Sequence, residues 1–215
     1  MEELRAIALA YYSNGSGNMK ETANKFFKSM DEDGDQKIRL GEYLAFMRKL
    51  QDVVDLRMCN PGFFNYLKED ESAYHLSFAD VLTLFYIIQT ERRFCDACGV
   101  FLVGLYFTCA ECFPLEKSRY SVCFECYRDK IFVHDHSGPL LDNNALLIVM
   151  NESNLEKNKT NELRTTETGA SSSMAIVPAS SSHGRSPVPK IAKVALKTVE
   201  LAVNIGSAIS NCSIM

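Results

Sequence analysis

Apolar and polar residues follow helical spacing through most of residues 1–91. An opening segment, Glu2 to Tyr12, is expected to end in a flexible Ser13-Asn14-Gly15-Ser16-Gly17 stretch. A helix from about Met19 to Met30 should enter an acidic loop, and another should leave it from about Gly41 to Leu50. Asn60-Pro61 has the form of a helix start, Asn capping and Pro in the first turn, leading into Phe63, Phe64 and Leu67. Ser77 opens a further helix carrying Val81, Leu82, Leu84, Phe85, Ile87 and Ile88. The pattern predicts helix–loop–helix twice over. Short apolar stretches such as Val100 to Phe107 suit small strands, so the expected class is α+β. From Lys190 the polar residues recur as Lys190, Lys193, Lys197, Glu200, Asn204 and Ser207, in steps of three and four. They form one narrow stripe on a helix whose remaining face is apolar. A face that wide has to dock on protein or on a membrane surface.

Four segments follow from this reading: a helical pair over 1–91, a cysteine-rich module over 92–145, a linker over 146–189 and an amphipathic helix over 190–215. The linker is rich in Ser, Thr, Asn and Pro and has too few large apolar residues for a core, so disorder is expected there. With 215 residues, two small domains are within reach. The net charge of −4 argues against nucleic acid as a partner, because phosphate binding needs a basic field. The N-terminus lacks the basic start and apolar core of a signal peptide, and Glu2 stands where myristoylation needs Gly. No uncharged apolar run approaches membrane-spanning length. An intracellular, reducing compartment is expected, cytoplasmic or at a membrane periphery.

Six cysteines fall in three tight pairs, Cys95-x2-Cys98, Cys109-x2-Cys112 and Cys123-x2-Cys126, followed by His134-x-His136. In a cytosolic chain such pairs are metal ligands far more often than disulfides. A two-residue spacer lets both thiolates bite the same ion, and eight ligands fill two tetrahedral zinc sites with no open position. The spacing resembles the ZZ-type zinc finger, through Cys95-Asp96-x-Cys98-Gly99, Gly104-x-Tyr106-x-x-Cys109, Arg119-Tyr120-x-x-Cys123-x-x-Cys126 and the terminal His pair. That resemblance implies a cross-brace, with Cys95, Cys98, Cys123 and Cys126 on one zinc and Cys109, Cys112, His134 and His136 on the other. It also implies recognition of peptide N-termini by carboxylates, for which Asp96 matches one acid. The Asp common two residues before the fifth cysteine is Ser121 here. Zinc serves such a module either by holding up a small fold or by supporting a recognition surface, and both readings stand. A RING finger would mix Cys and His in its central ligand pair, which counts against a ubiquitin ligase.

Asp31-Glu32-Asp33-Gly34-Asp35-Gln36-Lys37-Ile38-Arg39-Leu40-Gly41-Glu42 fits the ligand alternation of an EF-hand calcium loop. Asp31, Asp33 and Asp35 supply side-chain oxygens, Lys37 a backbone carbonyl and Glu42 a bidentate carboxylate. Position 6 is Gln36 in place of the usual Gly, and position 9 is the cationic Arg39, so weakened affinity is expected. The alternative is an acidic solvated turn. Glu69 to Asp80 is the best register for a sister loop, with Leu76 equivalent to Ile38. Ala73, Tyr74 and the short Asp80 make it a degenerate, structural partner. Helical EF-hands followed by a ZZ finger resemble a plant family of EF-hand/ZZ proteins, over roughly residues 1–150. The resemblance implies calcium and zinc binding and no firm activity, and the loop and ligand sets above put the expected ions at one calcium and two zinc.

The last four residues, Cys212-Ser213-Ile214-Met215, fit a prenylation box in which Met favours farnesyl. One lipid chain binds membranes marginally, and the adjacent helix with its lysines is a candidate second signal. That helix could instead dock internally on the helical pair. The sequence therefore predicts a calcium-responsive, non-catalytic adaptor with a protein or peptide partner. The alternatives are a prenyl-anchored peripheral membrane protein under calcium control or, with nothing beyond a shared cross-brace behind it, a ubiquitin ligase.

Overall fold

The computed structural model describes residues 1–114 and 119–152. The expected linker beyond 152, the expected helix at 190–215 and Cys212 lie outside the described residues. Those described are a mixture of helices and two small antiparallel sheets, in keeping with the α+β class. They divide into two compact units, Met1–Arg92 and the residues from Arg93 onward. No helix among them is long and apolar enough to cross a membrane.

The first unit begins with α1, Glu2–Asn14, and α2, Gly17–Met30. The expected flexible break after Tyr12 is shorter than the polar run suggested. Asn14 extends α1 by donating to the Ala10 carbonyl at 2.9 Å, and Ser16 caps α2 by accepting from the Met19 N–H. Past the acidic loop, β1 (Ile38–Arg39) leads into α3 (Leu40–Lys49). Asn60 and Ser77 each cap the helix that follows them, α4 (Pro61–Leu67) and α5 (Phe78–Gln89), by accepting from an N–H three residues on. Between those helices lies β2, His75–Leu76.

Strands β1 and β2 pair antiparallel, with Ile38 opposite Leu76 and both side chains fully buried. This short ladder ties the loop at 31–42 to the stretch at 69–80. Beneath it, Phe26 meets Phe46 edge-on at 5.2 Å and Phe85 at 5.1 Å, so one ring joins α2, α3 and α5. Met30, Tyr43, Met47, Leu50, Leu67, Leu84 and Ile87 complete a closed core.

The second unit is built on a three-stranded sheet in the order β4-β3-β5, with β3 (Tyr106–Cys109) central, β4 (Ser121–Cys123) on one side and β5 (Leu140–Asp142) on the other. A short helix, α6 (Phe124–Arg128), follows β4 directly. Only part of the apolar stretch at Val100 to Phe107 becomes strand. Phe101 forms an isolated bridge to Phe94, and the ladder starts at Tyr106. The buried cluster is small: Cys95, Leu102, Val122, Cys123 and Cys126, flanked by half-buried Tyr106, Phe107, Tyr120, Phe132 and Leu140. Three of its five buried members are cysteines. An apolar core of this size gives little stability by itself, and a metal ion held by the sulfurs could supply the rest.

The boundary expected at residue 146 needs correction. Residues 143–152 are helical, and Leu146 is 4% exposed. Asp142 starts this helix by accepting from the N–H groups of Asn144 and Ala145, and Leu146 then turns inward. Local capping and one buried leucine outweigh a polar composition.

Candidate metal centres

The thiols are delivered by the sheet and its turns. Cys109 ends β3, Cys123 ends β4 and caps α6, and Cys126 lies one turn into that helix. Antiparallel pairing of β3 with β4 therefore carries Cys123 away from Cys109 and towards the turn at 95–98. Cys95, Cys98, Cys123 and Cys126 gather with ligand atoms within 4.8 Å of one another, and Cys109, Cys112, His134 and His136 gather in the same way.

The sulfurs of Cys98 and Cys123 are 3.8 Å apart. That is the edge of a tetrahedron with zinc–sulfur arms of about 2.3 Å, which works out at about 3.8 Å. In the second cluster Cys112 Sγ lies 3.2 Å from His134 Nε2 and 3.1 Å from His136 Nδ1, and Cys109 Sγ lies 3.7 Å from His136 Nδ1. These distances bracket the sulfur–nitrogen edge of about 3.6 Å that tetrahedral zinc requires.

The backbone is arranged for thiolates. Cys95 Sγ accepts from the N–H groups of Cys98 at 3.4 Å and Cys123 at 3.3 Å, and Cys123 Sγ accepts from the Cys126 N–H at 3.4 Å. Burial opposes ionisation of Cys95, but the amides aimed at its sulfur outweigh it and bring the thiol down to about 7. At Cys123 burial wins, and at Cys126 burial and the neighbouring thiols together push the thiol up. Four sulfurs this close cannot all ionise without a cation between them. In the second cluster burial and Cys109 raise the Cys112 thiol in the same sense. A soft dication answers that demand in both places, and the donor sets, four sulfurs and two sulfurs with two imidazoles, are those of structural zinc.

Two residues next to the ligands hold this part of the unit in place. Tyr120 stacks on the His134 ring at 4.2 Å and 9°, which fixes the imidazole plane. Ser121 is fully buried in β4, and its hydroxyl pairs with Thr108 Oγ1 at 2.9 Å across the ladder. Asp96 is exposed, and its Oδ2 accepts the Ser121 N–H at 2.7 Å while its own N–H donates to the Ser121 carbonyl. Cys59 stands outside both clusters, half-buried, with its thiol against the Met47 carbonyl.

In the first unit Asp31, Asp33 and Asp35 converge within the same 4.8 Å limit. Asp31 Oδ2 accepts from the Gln36 N–H, while its Oδ1 is buried without a hydrogen-bond partner among the described residues. An orphaned carboxylate oxygen facing two further carboxylates suits a hard cation. Gln36 adopts φ 64°, the left-handed conformation the turn demands. Glu42 is not part of that trio. Its two oxygens accept the N–H groups of Glu32 at 2.9 Å and Arg39 at 2.8 Å, clamping both ends of the loop. Lys37 donates its N–H to Asp35 Oδ1 at 2.9 Å. The guanidinium of Arg39 bridges Asp33 and Asp35, so any metal ion here competes with a tethered positive charge. The Asp35 N–H, reinforced by that guanidinium, holds the Asp33 carboxyl below its ordinary value.

Comparison with protein-family models, with curated proteins and with solved structures found no match to this chain. What the fold and sites define is a metal-binding module: two Cys/His clusters that could hold metal ions, and an acidic trio that could hold a third.

Proposed function

We propose that this chain is a calcium- and zinc-binding adaptor without catalytic activity, an EF-hand pair with one working loop followed by a ZZ-type zinc finger. The observation that carries the reading is the convergence of Asp31, Asp33 and Asp35 around an orphaned oxygen, in a chain that also holds two four-ligand Cys/His clusters. Four protein ligands saturate a tetrahedral zinc and leave no position for water or substrate, which favours recognition over hydrolysis. Calcium at 31–42 would displace Arg39 and reorient α2 against α3, and a protein or peptide partner would read that change. The exposed Asp96, steadied by the Ser121 N–H, is the carboxylate proposed to hold a peptide amine. Ser121, buried against Thr108, offers no second one.

The test is a calorimetric calcium titration of the full chain, zinc-loaded and with magnesium at cytosolic level. One calcium per chain is expected, lost in Glu42→Gln while the zinc content stays at two. Absence of binding below about 1 mM, the weak end of EF-hand affinities, would remove calcium from the reading. Gln36→Gly should bind calcium about five- to tenfold tighter, since glycine adopts the left-handed turn without the steric cost of about 1 kcal/mol. Unchanged affinity would mean that the left-handed turn at Gln36 does not limit binding.

A further inference from the structure

The stretch at 69–80 occupies the register of the acidic loop, Leu76 opposite Ile38, yet its interior is already filled by positive charge from the protein. Arg5 on α1 is 7% exposed and Asp80 3%. Arg5 Nη2 donates to the Leu67 carbonyl at 2.8 Å and to Asp80 Oδ1 at 3.2 Å, and its Nε lies 3.9 Å from a Glu69 carboxylate oxygen. Lys68 Nζ donates to the carbonyls of Glu71 at 2.9 Å and Ala73 at 2.8 Å. With Leu76 aligned to Ile38, those carbonyls belong to the third and fifth loop positions, where the acidic loop carries Asp33 and Asp35.

The clamp is the same in both loops. Asp80 Oδ2 accepts the Ser77 N–H at 2.9 Å, as Glu42 accepts that of Arg39. Its other oxygen accepts the Glu69 N–H at 2.9 Å, one residue earlier than the Glu32 N–H that the longer Glu42 reaches. The interior differs. Tyr74, at the sixth position, is not among the non-glycine residues with positive φ, whereas Gln36 is. The backbone at 69–80 therefore does not make the turn that aims alternating oxygens at a metal ion. A buried carboxylate needs a paired cation, and α1 supplies it.

We propose that 69–80 is a metal-independent counterpart of the acidic loop, with Arg5 and Lys68 standing where a metal ion would otherwise be needed. Through Arg5, α1 is fastened to this loop whether or not calcium is present. Any calcium response of the unit is then confined to 31–42. The inference does not depend on calcium binding there.

The test is hydrogen exchange on the full, zinc-loaded chain. In calcium-depleted buffer the amides of Glu69 and Ser77 are expected to be protected, and saturating calcium should leave their rates unchanged. Arg5→Met, which strips a buried carboxylate of its cation, should speed their exchange by about a hundredfold. Lys68→Met, at a more accessible site, should speed exchange across 71–73 by roughly tenfold. Native mass spectrometry of the Asp31→Ala/Glu42→Gln double variant should find no bound calcium. Wild-type amides at 69–80 that are unprotected without calcium would overturn the proposal, even if Arg5→Met fails to fold. So would a calcium ion retained by the double variant, or Lys68→Met exchange at the wild-type rate.

Discussion

Replacing Cys123 with serine is expected to empty one of the two proposed zinc sites, and because both sites lie in the second unit, to unfold that unit and weaken the other site with it. Cys123 closes β4, caps α6, donates its N–H to Cys95 Sγ and places its own sulfur 3.8 Å from that of Cys98. A hydroxyl at that corner is a poor ligand, and three thiols at one centre are left with an unsatisfied cation or none. Zinc contributes about 10–16 kcal/mol to a structural site of this kind. Small domains have a net stability of about 5–15 kcal/mol, so losing the ion outweighs everything else in so thin a core. Metal analysis should read no more than one zinc per chain in place of two, and amides of β3 and β4 should exchange at unprotected rates. Cys59→Ser is the matched control, since Cys59 belongs to neither cluster and should retain both ions. A Cys123→Ser chain that kept two zinc ions and a protected sheet would refute the assignment of that sulfur as a ligand.

Phe26→Ala is the second large effect, in the other unit. The ring is 1% exposed and touches Phe46 and Phe85 at once, so its removal opens a cavity where three helices meet. The lost transfer energy and the unrelaxed cavity together predict a destabilisation of about 3–5 kcal/mol. For a unit of this size the melting temperature should fall by roughly 15 °C or more. Far-UV circular dichroism follows the loss, because the first unit holds the long helices α1, α2, α3 and α5. Zinc content, whose ligands all lie beyond Arg93, should stay at two. A melting temperature within a few degrees of wild type would mean that the three helices close without this ring.

Much of the first unit is legible from local chemistry. Asn60 and Ser77 are readable as caps because a cap acts on N–H groups two or three residues away. The opening helix outran its expected end because Asn14 bonds back to Ala10, a side-chain option that a polar run does not reveal. Residues 143–152 were hidden in the same way, since a linker-like composition carries no mark of Leu146 turning inward. Arg5 lies in the first turns of α1 and carries no local mark of burial. Its burial depends on Asp80, 75 residues away, which no spacing rule connects to it.

What the sequence by itself determined is the chemistry of each short piece: two thiols per knuckle, three carboxylates in register at 31–35, and capping residues ahead of the helices. These are legible because each acts within four residues along the chain. The pairing of knuckles, expected from the resemblance, is the one the fold brings together, whereas only the tertiary structure decided that Ser121 turns inward to Thr108 and that Arg5 pairs with Asp80. Those outcomes depend on which strand edges and helix faces meet in space. That meeting is governed by the burial of the whole core, in which no single short segment has a decisive share.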